Sequence, residues 1–153
     1  MRSLELKIPP PVIMLVAALL MWLIAAAVPV LTIGFAGNRI VAGLLVLVGL
    51  AIGAVAVVSF RKAGTTIHPT KPDTSACLVT SGIYARTRNP MYLGLLVILI
   101  GWAVLLANIA ALALLPAFVA YINRFQIGPE ERALAGKFPS EFDAYRKRVR
   151  RWL

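Results

Sequence analysis

The sequence predicts an all-α polytopic membrane protein: four transmembrane helices, a structured cytoplasmic loop and a C-terminal amphipathic helical tail. Two observations lead there. Of 153 residues, 60% are hydrophobic and only 14% charged, with a mean hydropathy of +0.85, whereas soluble domains carry about a quarter charged residues. The apolar residues also fall in long uncharged blocks, Val12 to Asn38, Ile40 to Phe60 and Asn89 to Asn123. A spanning helix needs roughly 20 mainly apolar residues.

The whole chain, 1–153, reads as a single domain. Pro9, Pro10 and Pro11 hold off helix until the first span, about 12–33. Pro29 is placed to kink that span near its outer end. The block is longer than the ~7–15-residue core of a signal peptide and no small-x-small site precedes a soluble domain, so it is expected to stay in the chain. The second span, about 40–60, carries Gly43, Gly49 and Gly53 among Ala and Val, small residues that let helices approach closely in lipid. The third block is long enough for two short spans, about 90–107 and 109–124, with Asn108 at the turn between them.

The connection 61–89 breaks the apolar pattern with Gly64, Pro69, Pro72 and Gly82. Loops this long are usually functional or disordered. Leu78, Val79, Ile83 and Tyr84 give this one apolar material to pack, so it is expected to fold over the cytoplasmic ends of the spans. In the tail, 125–153, Leu134, Phe138, Phe142, Tyr145, Val149 and Trp152 recur every three or four residues, a helical apolar stripe. Pro139 should split it. Gly136 would close a first short helix opened by Pro129 and Glu130, and Ser140 would cap a second.

Sixteen Lys and Arg oppose six Asp and Glu, a net charge of +10. Arg2 and Lys7 precede the first span, Arg61 to Arg88 fill the long connection, and Arg124 to Arg151 follow the last span. Only Arg39 remains for the other face. The positive-inside rule applied to four spans puts both termini and the active face in the cytoplasm. Basic residues flanking spans read as lipid-surface anchors rather than as a nucleic-acid footprint. Cys77 and His68 are each single, so neither a disulfide nor a zinc site of thiolates is expected. None of the expected spans contains a charge, which argues against an ion-coupled transporter.

Polar chemistry is concentrated at one face. It comprises Leu78 to Tyr84, Arg86, Thr87 to Gly94, and Glu130 with Glu131. The stretch from Gly64-Thr65-Thr66 to Gly94, with Ser81-Gly82-x-Tyr84 and Arg88-Asn89-Pro90-x-Tyr92-x-Gly94, resembles the isoprenylcysteine carboxyl methyltransferase and phospholipid methyltransferase family of integral membrane enzymes. The tail adds Glu130-Glu131-x-x-Leu134, Phe138, Phe142, Tyr145 and the closing Val149-Arg150-Arg151-Trp152. Two separated motifs in the right order make the likeness specific. It covers about the last ninety residues.

The resemblance implies S-adenosylmethionine held between the loop, the start of the third span and the helix after the fourth. On that likeness Ala76, Cys77, Leu78, Val79 and Tyr84 would enclose the cofactor. Asn89, Pro90, Met91 and Tyr92 would meet its amino-acid end, and Glu130, beside Glu131, its ammonium group. The family often has histidine where this chain has Asn89, and glycine where it has Pro139.

The residue types fit that cofactor on physical grounds as well. An ammonium, a carboxylate and an adenine want an acid, basic or amide donors and flat walls, which Glu130 or Glu131, Arg88 with Asn89, and Tyr84 with Tyr92 supply. Arg88 and Arg124 are the candidate catalytic-site cations. Arg124, the first charge after the last span, stands where an anionic group of a membrane-resident acceptor would meet the pocket. Methyl transfer needs alignment and water exclusion rather than a His/Asp/Ser set. Each residue also has an ordinary role: the tyrosines as interfacial belt aromatics, the glutamates as first-turn helix acids, the arginines as headgroup anchors. The expected acceptor is amphiphilic, an isoprenylcysteine-like carboxylate or a lipid amine, with membrane lipids the surroundings and no nucleic acid or metal involved. The alternative is a small membrane scaffold whose basic tail holds lipid or a partner.

Overall fold

The computed structural model describes residues 5–63 and 77–153. Five helices organise them: α1 (Pro10–Ala27), α2 (Asn38–Lys62), α3 (Pro90–Leu106), α4 (Ile109–Lys137) and α5 (Pro139–Arg148). Proline stands at the first turn of α1, α3 and α5, where its missing N–H is no loss and its fixed φ suits the helix. Pro29 ends α1 rather than kinking it, and opens a single 3-10 turn, Pro29–Leu31.

Among the described residues three helices are long and apolar enough to cross a bilayer: α1, α2 and α4. This corrects the expectation of four transmembrane helices. At 17 residues α3 is apolar but shorter than all three. Residues 109–137, expected as a short span and a separate tail, form one 29-residue helix. The chain is an integral, multi-pass membrane protein, but an odd number of spans places its ends on opposite faces. The placement of both termini in the cytoplasm is therefore overturned.

The packing follows from small residues. Among the described residues the α2–α3 pair is the most extensive, and within it Gly49 and Gly94 face each other: a Cβ built on either would lie 2.7 Å from the other's carbonyl oxygen. A second apolar core joins α1, α3 and α4 through Met21, Tyr92, Leu99, Ala103, Ala111, Phe118, Ile122 and Ile127. Outward, Leu15, Leu19, Ile40, Leu44 and Leu47 remain more than half exposed, and lipid is the solvent that suits them.

Asn108 is the turn residue the sequence indicated. Ala107 takes a left-handed φ of 50° to end α3, and the Asn108 side chain caps α4 by accepting from the Ala111 N–H at 3.2 Å. Its amide also donates to the Val28 carbonyl at 2.9 Å and to Thr32 at 3.1 Å, tying the far ends of α1, α3 and α4. At the other end the Leu6 N–H donates to the Phe125 carbonyl and Gln126 to that of Ile8. Pro139 splits the tail as expected, yet it occupies the first position of α5, so Phe138 and not Ser140 is the N-cap. Gly136 lies within α4.

Candidate functional site

The polar motifs converge where the end of α2, the loop 77–89, the start of α3, the last turns of α4 and the closing residues 149–152 meet. Asn89 is the non-helical residue before Pro90, as X-Pro sterics favour. The helix beginning there buries Tyr92 at 5% exposure. Its hydroxyl donates a short hydrogen bond to Glu130 Oε1, joining the two sequence motifs. Beside them Ala56, Val79 and Tyr84 form an apolar cluster with Phe60, Ile83 and Met91 packed against it. The Phe60 and Tyr84 rings meet edge to face at 5.1 Å. Tyr84 sits in the loop, and its hydroxyl is held well above the usual tyrosine range, chiefly by burial and then by the charges of Tyr145 and Glu130. It stays neutral at working pH.

The consecutive acids have opposite environments. Glu131 is neutralised twice, by Arg88 at 2.8 Å and by Arg151 at 2.5 Å. Glu130 has no ion-pair partner among the described residues, only the Tyr92 hydroxyl. The difference arises because successive helical residues point about 100° apart, so one carboxylate faces the tail and the other the interior.

A clasp made by the chain's last residues closes one side. The Arg88 guanidinium donates to the carbonyls of Arg146 and Val149, both at 3.2 Å, and its backbone N–H to that of Arg150 at 3.0 Å. Thr87 and Asn89 both donate to the Arg151 carbonyl, at 3.2 and 3.0 Å. Trp152 donates its indole N–H to Asn123 at 3.1 Å. Tyr145 donates to the Tyr84 carbonyl at 2.7 Å, and burial pushes its own hydroxyl up to about 12 against the opposing pull of Arg88 and Arg148. One donor in this network is unspent: Arg88 Nε is buried and has no hydrogen-bond partner among the described residues.

The structure thus brings together Val79, Tyr84, Met91, Tyr92 and Glu130, with Arg88, Asn89, Pro90 and Glu131 directly behind them. Leu78 packs instead with the tail cluster of Phe142, Tyr145 and Val149, and Cys77 donates weakly from Sγ to the Ala63 carbonyl at 3.4 Å. Ala76 lies outside the described residues, as do Gly64 to Thr66 and His68. Arg124 is exposed on a π-helical turn, Asn123–Ile127, of α4. No group of three or more His, Cys, Asp or Glu able to hold a metal occurs among the described residues. Sequence reasoning missed Phe60, which it placed at a span end, and Arg151, which it counted among lipid anchors. Only the place of Arg151 within the closing motif Val149-Arg150-Arg151-Trp152 signalled more.

Comparison with known proteins places this geometry in context. The profile of a family described as "Phospholipid methyltransferase" matches residues 38–141, which includes the loop, α3 and both acids. An uncharacterized protein of Haemophilus influenzae is 46% identical over 63 residues, 41% of this chain and all of that one. A Schizosaccharomyces pombe protein-S-isoprenylcysteine O-methyltransferase is 31% identical over 101 residues, 66% of this chain. The match spans 43% of the length of the yeast protein. No solved structure matches the chain.

Proposed function

We propose, since this chain belongs to the phospholipid methyltransferase family, that it transfers a methyl group from S-adenosylmethionine to an amphiphilic acceptor resident in the membrane. The observation that carries the reading is the pair of adjacent acids: Glu131 is spent on two arginines, while Glu130 faces the interior with a neutral phenol and no counter-cation among the described residues. A carboxylate withdrawn from water without a cation is costly. Such a carboxylate suits a ligand that brings positive charge.

The residues present fit the cofactor. Glu130 would hold its ammonium group, and the unspent Arg88 Nε offers a donor to its carboxylate. Phe60, Tyr84, Val79 and Met91 supply flat and apolar walls for the adenine. When bound, S-adenosylmethionine supplies a methyl carbon on a cationic sulfur: the acceptor's lone pair forms the bond to that carbon as the carbon–sulfur bond breaks.

The chain's own groups then act by position and field. Tyr92 fixes the Glu130 carboxylate through its hydrogen bond, and the clasp of residues 149–152 shields Arg88 and Glu131 from water. Excluding water strengthens the electrostatic contacts inside the site. Arg124, exposed at the π turn, is the residue we assign to the acceptor, through two parallel hydrogen bonds to carboxylate or phosphate oxygens. The family's name speaks of a phospholipid and the yeast relative's of an isoprenylcysteine oxygen; a lipid amine and an isoprenylcysteine-like carboxylate are the two acceptor groups we infer from them.

Incubating the purified protein with methyl-labelled S-adenosylmethionine and a membrane lipid extract tests the function. Label should enter an extractable lipid fraction. A folded protein that incorporates none from any membrane extract would act as a scaffold and not as an enzyme.

A further inference from the structure

Nearly the length of α3 away from Glu130, the α2 and α3 helices part to form an apolar groove of about 400 Å³. It is lined by Arg39, Ala42, Gly43, Val46 and Leu47 of α2 and by Gly101, Trp102 and Leu105 of α3. The α2 residues recur at i, i+3, i+4, i+7 and i+8, a single continuous stripe of the helix. Leu105 lies 13 residues beyond Tyr92, about 20 Å along α3 at 1.5 Å per residue, so the groove is separate from the candidate active site.

Its walls differ along its length. Deeper in, Gly101 lets the helices touch, since a Cβ there would lie 3.0 Å from the Ala42 carbonyl oxygen. Gly43, by contrast, has no described atom within 4 Å of where its Cβ would be; its missing side chain opens the groove and does not serve a close helix contact. Trp102 makes a fixed wall because its indole N–H is held by the Ala18 carbonyl at 2.9 Å.

The mouth of the groove is cationic. Arg39 is exposed at the second residue of α2 and has no acidic partner among the described residues. The same helix start has no side-chain cap and no acid in its first turn, so the positive end of a 25-residue helix is left uncompensated beside the guanidinium. A phosphate satisfies both. A groove that is apolar along its length and cationic at one end complements a molecule with the same two parts in the opposite sense of charge.

We propose that this groove is a binding site for an anionic membrane phospholipid, with one acyl chain along Gly43 and Leu47 and the phosphate headgroup at Arg39. The glycine gap admits the chain, and the arginine with the α2 start selects the headgroup. It does not depend on methyl transfer, since no residue of the groove belongs to the candidate active site.

Native mass spectrometry of the full chain in detergent, titrated with phosphatidylglycerol and separately with phosphatidylcholine, tests the site. The wild-type protein should retain phosphatidylglycerol in preference to phosphatidylcholine. Arg39→Gln should weaken phosphatidylglycerol binding about tenfold, the loss expected for one charge-assisted contact, and abolish the preference. Gly43→Leu, which fills open space, should weaken both lipids while thermal unfolding stays at the wild-type value. Unchanged phosphatidylglycerol binding in Arg39→Gln overturns the proposal whether or not Gly43→Leu folds. So does a wild-type dimer that Gly43→Leu dissolves, which would make the groove an interface between copies of the chain.

Discussion

Gly49 and Gly94 lock α2 to α3: each lacks a Cβ at the point where one would lie 2.7 Å from the other's carbonyl oxygen. Gly94 is the last residue of the motif that begins at Arg88, and two residues before it stands Tyr92. The motif's glycine is thus a packing device that sets where the motif's tyrosine sits. Gly94→Ala should force the helices apart and cost about 1–3 kcal/mol, read by thermal unfolding in detergent, with activity falling as Tyr92 shifts from Glu130. Gly53→Ala, whose Cβ meets nothing within 4 Å, should be neutral or slightly stabilising.

The clasp gives a second expectation. Glu131→Gln removes the shared anion of Arg88 and Arg151 and should free residues 149–152, at a cost of about 1–3 kcal/mol. Hydrogen exchange should rise at the Val149 to Trp152 backbone. Asp143→Asn, which breaks only exposed pairs with Arg146 and Lys147, should stay within about 0.5 kcal/mol of wild type and leave that exchange unchanged.

Tyr145 links stability to alkaline pH. Its hydroxyl titrates at about 12 in the fold because it is buried, against about 10 in an unfolded chain. A folded pKa above the unfolded value means the contribution is fully present below pH 10 and is lost as pH rises from 10 towards 12. Tyr145→Phe removes the donor to the buried Tyr84 carbonyl and should lower stability by about 1–3 kcal/mol at neutral pH. Unfolding measured from pH 7 to 11 should show a shallower alkaline decline in the variant.

Arg124 separates positioning from anchoring. A bidentate guanidinium clamp cannot be replaced by an ammonium, so Arg124→Lys should raise the KM for the acceptor or lower kcat at least tenfold while affinity for S-adenosylhomocysteine stays at wild type. Full turnover by Arg124→Lys would leave the residue a lipid anchor.

The membrane class, the turn at Asn108 and the break at Pro139 were legible because each rests on local chemistry: apolar block length, a capping side chain, a missing N–H. The meeting of Tyr92 with Glu130 was legible only as two motifs that had to converge, since 38 residues separate them. What the sequence hid depended on partners. Nothing in Glu130-Glu131 tells which acid turns inward until Arg88 and Arg151 claim one of them. The span count also misled, because residues 90–107 were counted as a span on apolar content alone, while their helix is shorter than the three that are long enough to cross.

The central claim is that Glu130 is the acid that receives the cofactor's positive charge. Calorimetry of S-adenosylhomocysteine binding to wild type, Glu130→Gln and Glu131→Gln tests it most directly. The product retains the ammonium and carboxylate but not the methyl group. Wild type should bind it saturably, and Glu130→Gln should weaken it at least tenfold, the loss of one charge-assisted contact of roughly 1.5–3 kcal/mol, by more than Glu131→Gln does. Wild-type affinity in a folded Glu130→Gln protein would contradict the assignment.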